Sequence, residues 1–247
     1  MQPTTRHPSP FALRPSPMTD TDSTLTRMTL PMDCITAMVL SGGQGQRMGG
    51  VDKGLQPFQG RPMAQRALLR VGNSVGCVAI NANRNLATYA TFCERVWPDQ
   101  DTDFSGPLAG FCAGLNQATT PYLLTLPCDC PFFPLDLVAR LSSALIQSGA
   151  EVVMPRALES LADTQELRAQ PVFALMSVTV LESLQSFMAQ GGRKIDTWSQ
   201  TRHHAWVDFD QPHDDPHAFS NINTLKDLAH WDALSEPSPH STSMAAT

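Results

Sequence analysis

Apolar positions along the chain fall into two alternating patterns: short apolar runs, and longer stretches in which apolar residues recur at helical spacing. ITAMVL (35–40) is a run of the first kind and ends in a glycine cluster, as a buried strand does. PMAQRALLRV (62–71) is of the second kind, with Pro62 suited to a first helical turn. VGCVAINA (75–82) reads as the next strand, and ATYATFCERV (87–96) as a helix with a short strand at its end. LAGFCAGLNQA (108–118) reads as a helix opening after Gly106-Pro107, and PYLLTLPCD (121–129) as a strand. PLDLVARLSSALIQSG (134–149) is a helix closed by Gly149, and EVVMP (151–155) again a strand. The second half is less regular. PVFALM (171–176) and HHAWVDF (203–209) read as strands, VTVLESLQSFMAQG (178–191) as a helix. TLKDLAHWDAL (224–234) is a closing helix with Asn223 as its candidate N-cap. Strands alternating with helices imply βαβ units. The expected fold is therefore α/β, a three-layer Rossmann-like domain with a mainly parallel central sheet. Its sites should lie at the carboxyl ends of the strands.

Composition narrows the picture. The 247 residues are 42% hydrophobic, enough for one sizeable core. Residues 1–33, rich in Pro, Ser and Thr, are expected to form a disordered leader, 34–234 the domain, and 235–247 a disordered tail. Charged residues are only 16% and the formal net charge is -6, which argues against a nucleic-acid partner. No apolar run reaches the length of a membrane span, and the leader lacks the apolar centre of a secretory signal. The six cysteines (Cys34, Cys77, Cys93, Cys112, Cys128 and Cys130) sit largely among apolar neighbours, consistent with reduced thiols in the cytoplasm.

The chemistry concentrates in LSGGQGQRMGGVDKG (40–54). Glycines at 42, 43, 45, 49, 50 and 54 free the backbone for a close approach, and successive N–H groups can cup an anion. Arg47 and Lys53 add the positive charge that a triphosphate or departing pyrophosphate requires. The loop is not a P-loop, since Lys53 is followed by Gly54 rather than Ser or Thr. Nor does Gly43-x-Gly45 continue to a third glycine at Rossmann spacing, and no acidic residue ends the second strand. A purely structural glycine loop is the alternative. Downstream, Asp129 follows the apolar strand and should emerge at the sheet's carboxyl edge beside the loop; its plain alternative is a surface helix cap. Cys128 and Cys130 flank it but lack two further ligands for zinc. His213 and His217 are separated by Pro216, which breaks helical metal-binding geometry and favours a solvated loop.

The loop closely resembles that of the molybdenum cofactor guanylyltransferases, within the wider nucleotidyltransferase superfamily. The resemblance continues in order through NANR (81–84), WPDQ (97–100), GPLAG (106–110), PCDCP (127–131) and NINT (221–224), spanning roughly residues 35 to 232. It implies that Leu40, Ser41, Gly42 and Gly43 contact a guanine nucleotide, with serine at 41 where the family more often has alanine. It implies that Lys53 meets the phosphates, that Asn81 and Asp99 contact the nucleotide, and that Asp129 holds Mg²⁺. Arg193 and Lys194 in GGRK resemble a segment facing the pterin, though loop cations are common on any surface. Asn221 and Asn223 match a late asparagine pair near the active site, and equally well precede a helix they could cap. Gln170-Pro171 lies near a further region of similarity.

The implied reaction is Mg²⁺-dependent transfer of GMP from GTP to the terminal phosphate of molybdopterin or its molybdenum-loaded form, releasing pyrophosphate. Transient contact with proteins that deliver molybdopterin or mature molybdoenzymes is a further implication. A cytidylyltransferase acting on the same pterin shares the loop and stays open. So does a non-catalytic nucleotide-binding partner of a maturation factor. A sugar-1-phosphate nucleotidyltransferase is disfavoured by the DKG ending, and an oxidoreductase by the glycine spacing.

Overall fold

The structure, a computed structural model, describes residues 28–41, 51–100, 106–161 and 164–235. Most of the glycine loop, with Gly42, Gly43 and Arg47, lies outside the described residues, as do residues 1–27 of the leader and 236–247 of the tail.

Strand β1 (Ile35–Leu40) pairs in parallel with β4 (Cys77–Asn81) on one side and β6 (Tyr122–Pro127) on the other. Residues 35–39 are all buried, because both faces of the strand are covered, and this is why it reads as a run rather than an alternation. A two-residue strand, β5 (Val96–Trp97), extends the sheet beyond β4. Between β1 and β4 a small hairpin of β2 (Pro57–Phe58) and β3 (Arg61–Pro62) leads into helix α1 (Met63–Val71). Pro62 therefore occupies the N-cap position, one residue before the expected first turn. Helix α2 (Leu86–Ala90) is shorter than expected, because the chain turns early to bring Arg95 and Val96 alongside Ile80. Helix α3 (Pro107–Gln117) precedes β6, and α4 (Leu137–Ser148) follows it, closing at Gly149 with φ 67°.

The second half departs from a simple βαβ continuation. β7 (Val152–Leu161) folds back as a hairpin with β8 (Thr164–Ala169), and β9 (Ala174–Ser177) then inserts antiparallel between β7 and β6. Helix α5 (Leu181–Ala189), the short α6 (Ile195–Ser199) and strand β10 (His204–Phe209) bring the chain to the outer side of β7, and α7 (Leu225–Ser235) follows. The sheet order is β10-β7-β9-β6-β1-β4-β5, with β8 on β7. Only β8 and β9 run against the other strands, so the sheet is mixed but mainly parallel.

Two apolar layers flank this sheet. Ile35, Ala37 and Val39 face one layer with Leu68 of α1 and Leu141 of α4. Met38 faces the other with Phe111 of α3, Leu184 of α5 and Trp198 of α6. The result is the expected three-layer α/β arrangement. Among the described residues no helix is long and apolar enough to cross a membrane.

Candidate active site

Register sets the site. Leu40 stands level with Asn81 and with Pro127, and Asn81 with Trp97, so four parallel strands end in one row. The ladder runs one residue further: Ser41 N–H donates to Asn81 O (2.8 Å) and Cys128 N–H to Leu40 O (3.2 Å). Residues just beyond these ends thus converge along the sheet's carboxyl edge, where an open α/β sheet places its ligands. Leu40, Ser41, Asn81, Asp99 and Asp129 all lie on this edge.

At one end of the row Asn81 Nδ2 donates to Trp97 O (2.9 Å) and to Asp99 Oδ1 (2.8 Å). Asn83 holds the other carboxylate oxygen of Asp99 at 2.7 Å and accepts the Asp99 N–H at 2.8 Å. Asp99 is therefore oriented by two amides instead of a cation. Helix α3 passes close above: a Cβ at Gly110 would stand 2.7 Å from Asn81 Oδ1 and from Leu40 Cδ2, closer than a side chain permits.

At the other end Lys53 spans the site. Its ammonium is ion-paired with Asp129 and donates to Asn223 Oδ1 (2.9 Å), bringing together residues from three distant parts of the chain. Asp129 sits in the turn after β6, well before α4, so it caps no helix. Asn223 is not the cap of α7 either. Thr224 performs that role, accepting the Asp227 N–H at 3.1 Å, while Asp227 accepts from the N–H groups of Asn223 and Thr224 at 2.9 and 2.8 Å. Burial opposes ionisation of Asp227, but those two N–H donors hold its carboxyl below the usual range. The Asn223 side chain is left for Lys53. A backbone bond from Ile222 N–H to Asp129 O (2.8 Å) fixes the spacing, and Ile222 itself is buried against Phe58 and Met63.

A cleft of about 210 Å³ is lined by Asp129, and a second of about 410 Å³ adjoins it, sharing Gln170, Asn221 and Asn223. Arg193 and Lys194 line a separate depression with Phe187 and Thr197 after α5, sharing no residue with those clefts. Cys128 and Cys130 point into the core. Burial first, and the neighbouring Asp129 second, push the Cys128 thiol up to about 12 and raise Cys130 as well, so both are neutral thiols. His217 lines a cleft and packs its ring edge-on to Trp231, whereas His213 is exposed.

The donor set suits a hard cation. Mg²⁺ takes oxygen ligands and is commonly held by one or two carboxylates together with substrate phosphates. Asp129 offers one partly exposed carboxylate at the strand ends, and Asn223 Oδ1 a second oxygen nearby. Among the described residues no three His, Cys, Asp or Glu side chains converge on a possible metal site.

One buried carboxylate beside Lys53 has no signal in the sequence. Asp52, next to it, is 7% exposed and is held by Tyr89 and Asn85. The DKG ending was visible, but nothing in sequence spacing pairs Asp52 with a helix more than thirty residues away.

The MobA-like NTP transferase domain family matches residues 37–205 of the chain. The molybdenum cofactor guanylyltransferase of Acidovorax sp. (strain JS42) is 56% identical over 198 residues, covering 78% of this chain and 93% of that one. The molybdenum cofactor guanylyltransferase of Albidiferax ferrireducens is 53% identical over 202 residues, covering 81% and 96%. Among solved structures, molybdopterin-guanine dinucleotide biosynthesis protein A from Archaeoglobus fulgidus superposes with a TM-score of 0.64 at 20% identity, over 81% of this chain and 97% of that one. The 4-diphosphocytidyl-2C-methyl-D-erythritol synthase of Anaerococcus prevotii does so at 0.62 and 13%, over 83% and 99%. At such identities these two structures speak for the fold alone.

Proposed function

The chain belongs to the MobA-like nucleotidyltransferases, in the group of the molybdenum cofactor guanylyltransferases, and from that premise we infer that it joins GMP from GTP to the terminal phosphate of molybdopterin. The observation that carries the chemistry is the Lys53 ammonium held between Asp129 and Asn223 at the carboxyl edge of the sheet. The preference for guanine rests on the guanylyltransferases that share more than half of its residues over the matched length.

In the reaction an oxygen of the acceptor phosphate forms a bond to the α-phosphorus of GTP while the bond to the β-phosphate bridge breaks. Pyrophosphate carries away the negative charge. The attacking oxygen is already ionised at neutral pH, so no side chain need remove a proton. Positioning and charge neutralisation then account for the rate. Lys53 reaches the leaving phosphates from its place between Asp129 and Asn223, and Arg47 adds a second cation on the same loop. Mg²⁺ held by Asp129 and the phosphates would offset the charge that builds at the α-phosphorus. Asn81 and Asp99 hold the nucleoside at the other end of the row with Leu40 and Ser41, and Gly42 and Gly43, next in the chain, are further candidates for its contacts. Asn221 and Gln170 line the cleft beside Asp129 and are candidates to contact the pterin acceptor, and Arg193 and Lys194 are candidates for its more distant contacts. Six free thiols agree with a cytoplasmic place of action.

Asp129→Ala tests the assignment. It should lower GTP-dependent pyrophosphate release by about a thousandfold or more, the scale of removing a principal electrostatic group. Normal turnover of this variant at saturating Mg²⁺ would remove Asp129 from the reaction.

A further inference from the structure

We propose that Asp52 is a positioning residue: it clamps the end of the phosphate loop onto α2 and so fixes where the Lys53 ammonium can reach. The inference rests on the nucleotidyl-transfer reading above and concerns how its phosphate contact is held in place.

Asp52 is a buried carboxylate that the reaction itself does not use. Its Oδ1 accepts from the Tyr89 hydroxyl at 2.6 Å, and its Oδ2 from Asn85 Nδ2 at 2.9 Å, with Arg84 Nε 3.6 Å away. Arg84 also donates from Nη2 to the Val51 carbonyl at 2.9 Å. Residues 84–89 thus grip two successive loop residues immediately before Lys53. The residue after Lys53 is gripped as well. A Cβ on Gly54 would come within 2.5 Å of the Tyr89 hydroxyl and 2.8 Å of Ser41 Oγ, so the turn is seated directly on a fully buried tyrosine. Asn85 reaches Asp52 from a left-handed backbone conformation with φ 53°, which asparagine tolerates better than most residues.

Lysine carries a long flexible stem, and a point charge on such a stem acts only where its backbone is fixed. With Val51, Asp52 and Gly54 pinned, the Lys53 side chain alone moves between Asp129 and a phosphate. Charge and position make opposite forecasts for Asp52. As a negative charge beside an anionic ligand it should weaken binding, so its removal by coulombic effect alone should tighten GTP. As a positioning residue its removal should loosen GTP, and only through Lys53.

The test is a double-mutant cycle on full-length protein, reading GTP affinity by calorimetry with Mg²⁺ present, in parent, Asp52→Asn, Lys53→Ala and the double variant. Asp52→Asn should weaken GTP about tenfold in the parent and less than about twofold when Lys53 is already alanine. Tyr89→Phe, which keeps the ring and removes one hydrogen bond, should act in the same direction by about threefold, and it carries the cycle if Asp52→Asn fails to fold. Tighter or unchanged binding in Asp52→Asn, or an equal loss in both backgrounds, overturns the proposal. GTP turnover by the parent protein is scored separately. Its absence, with the binding cycle as expected, would overturn the transfer reading and leave the role of Asp52 standing.

Discussion

Held between a carboxylate and an amide oxygen, the Lys53 ammonium has two partners far apart in sequence, Asp129 after β6 and Asn223 before α7. Removing one of them should change chemistry more than stability. Asn223→Ala is expected to lower GTP-dependent pyrophosphate release about tenfold, the value of one hydrogen bond to a charged group, while the melting temperature stays within a degree or two of the parent. A large loss of stability with unchanged turnover would place Asn223 in the fold instead. The buried thiols provide a pH-dependent counterpart. Burial beside Asp129 raises the folded Cys128 thiol from 9.0 to about 12, so its contribution to stability is fully present below about pH 9 and is lost as pH rises toward 12. The unfolding midpoint in urea should fall between pH 8 and pH 10, and a Cys128→Ala variant should show a smaller fall over the same interval. Equal slopes for the two proteins would contradict this. At this scale the position of Asp129 was readable, since it follows an apolar strand and emerges at the carboxyl edge beside Lys53. The sequence was misleading at Asn223, because an asparagine before a helix is ordinarily a cap, and only the placement of Thr224 and Asp227 frees it. Asp52 was silent, because its partners are chosen by tertiary packing and not by spacing.

Helix α7 illustrates how an element distant from the strand ends serves the site. Its N-terminus delivers Asn223, and its Leu228 and Trp231 pack with Phe132 around the buried Phe58, Met63 and Ile222. Asp232 accepts the Gln59 N–H at 2.9 Å, tying the helix to the β2–β3 hairpin. Thr224→Ala, which removes the cap, should cost about 1 kcal/mol and lower the melting temperature by roughly 2–4 °C. Turnover at a temperature well below melting should change much less than in Asn223→Ala. If the two variants were indistinguishable in activity, the separation of cap from site would be wrong. Elements with a clear apolar period were legible in advance: β1, α1, β6 and α4 fall within a few residues of their sequence readings. β8 was not, since TQELRA is an edge strand on one side of β7, with residues 166–169 exposed and therefore no apolar face to betray it. The five-residue α6 is too short for a helical period to emerge, although it buries Trp198 completely.

Across the whole molecule, the mixed order of the sheet explains the division of labour. The parallel strands β4, β1 and β6 end in register, in the arrangement that alternating strand and helix patterns imply. The antiparallel insertion of β9 and the β7–β8 hairpin bring Gln170, at the end of β8, to the cleft beside Asp129. The first half was legible because each crossover follows a regular βαβ rule. In the second, β9, α5, β10 and α7 were legible as elements, but the reversed direction of β9 was not, because it depends on a hairpin whose polar sequence gives no periodic signal. In the proposed reading the regular sheet edge takes the nucleotide and the irregular connections of the second half take the acceptor. The central claim is that these two regions join a guanine nucleotide to a pterin phosphate. The most direct measurement is incubation of the full-length protein with molybdopterin, Mg²⁺ and each nucleoside triphosphate in turn, with identification of the dinucleotide and of pyrophosphate. Molybdopterin guanine dinucleotide and one equivalent of pyrophosphate are expected with GTP, at a rate far above that with CTP. Equal or faster transfer from CTP, or no dinucleotide from either, would contradict the claim.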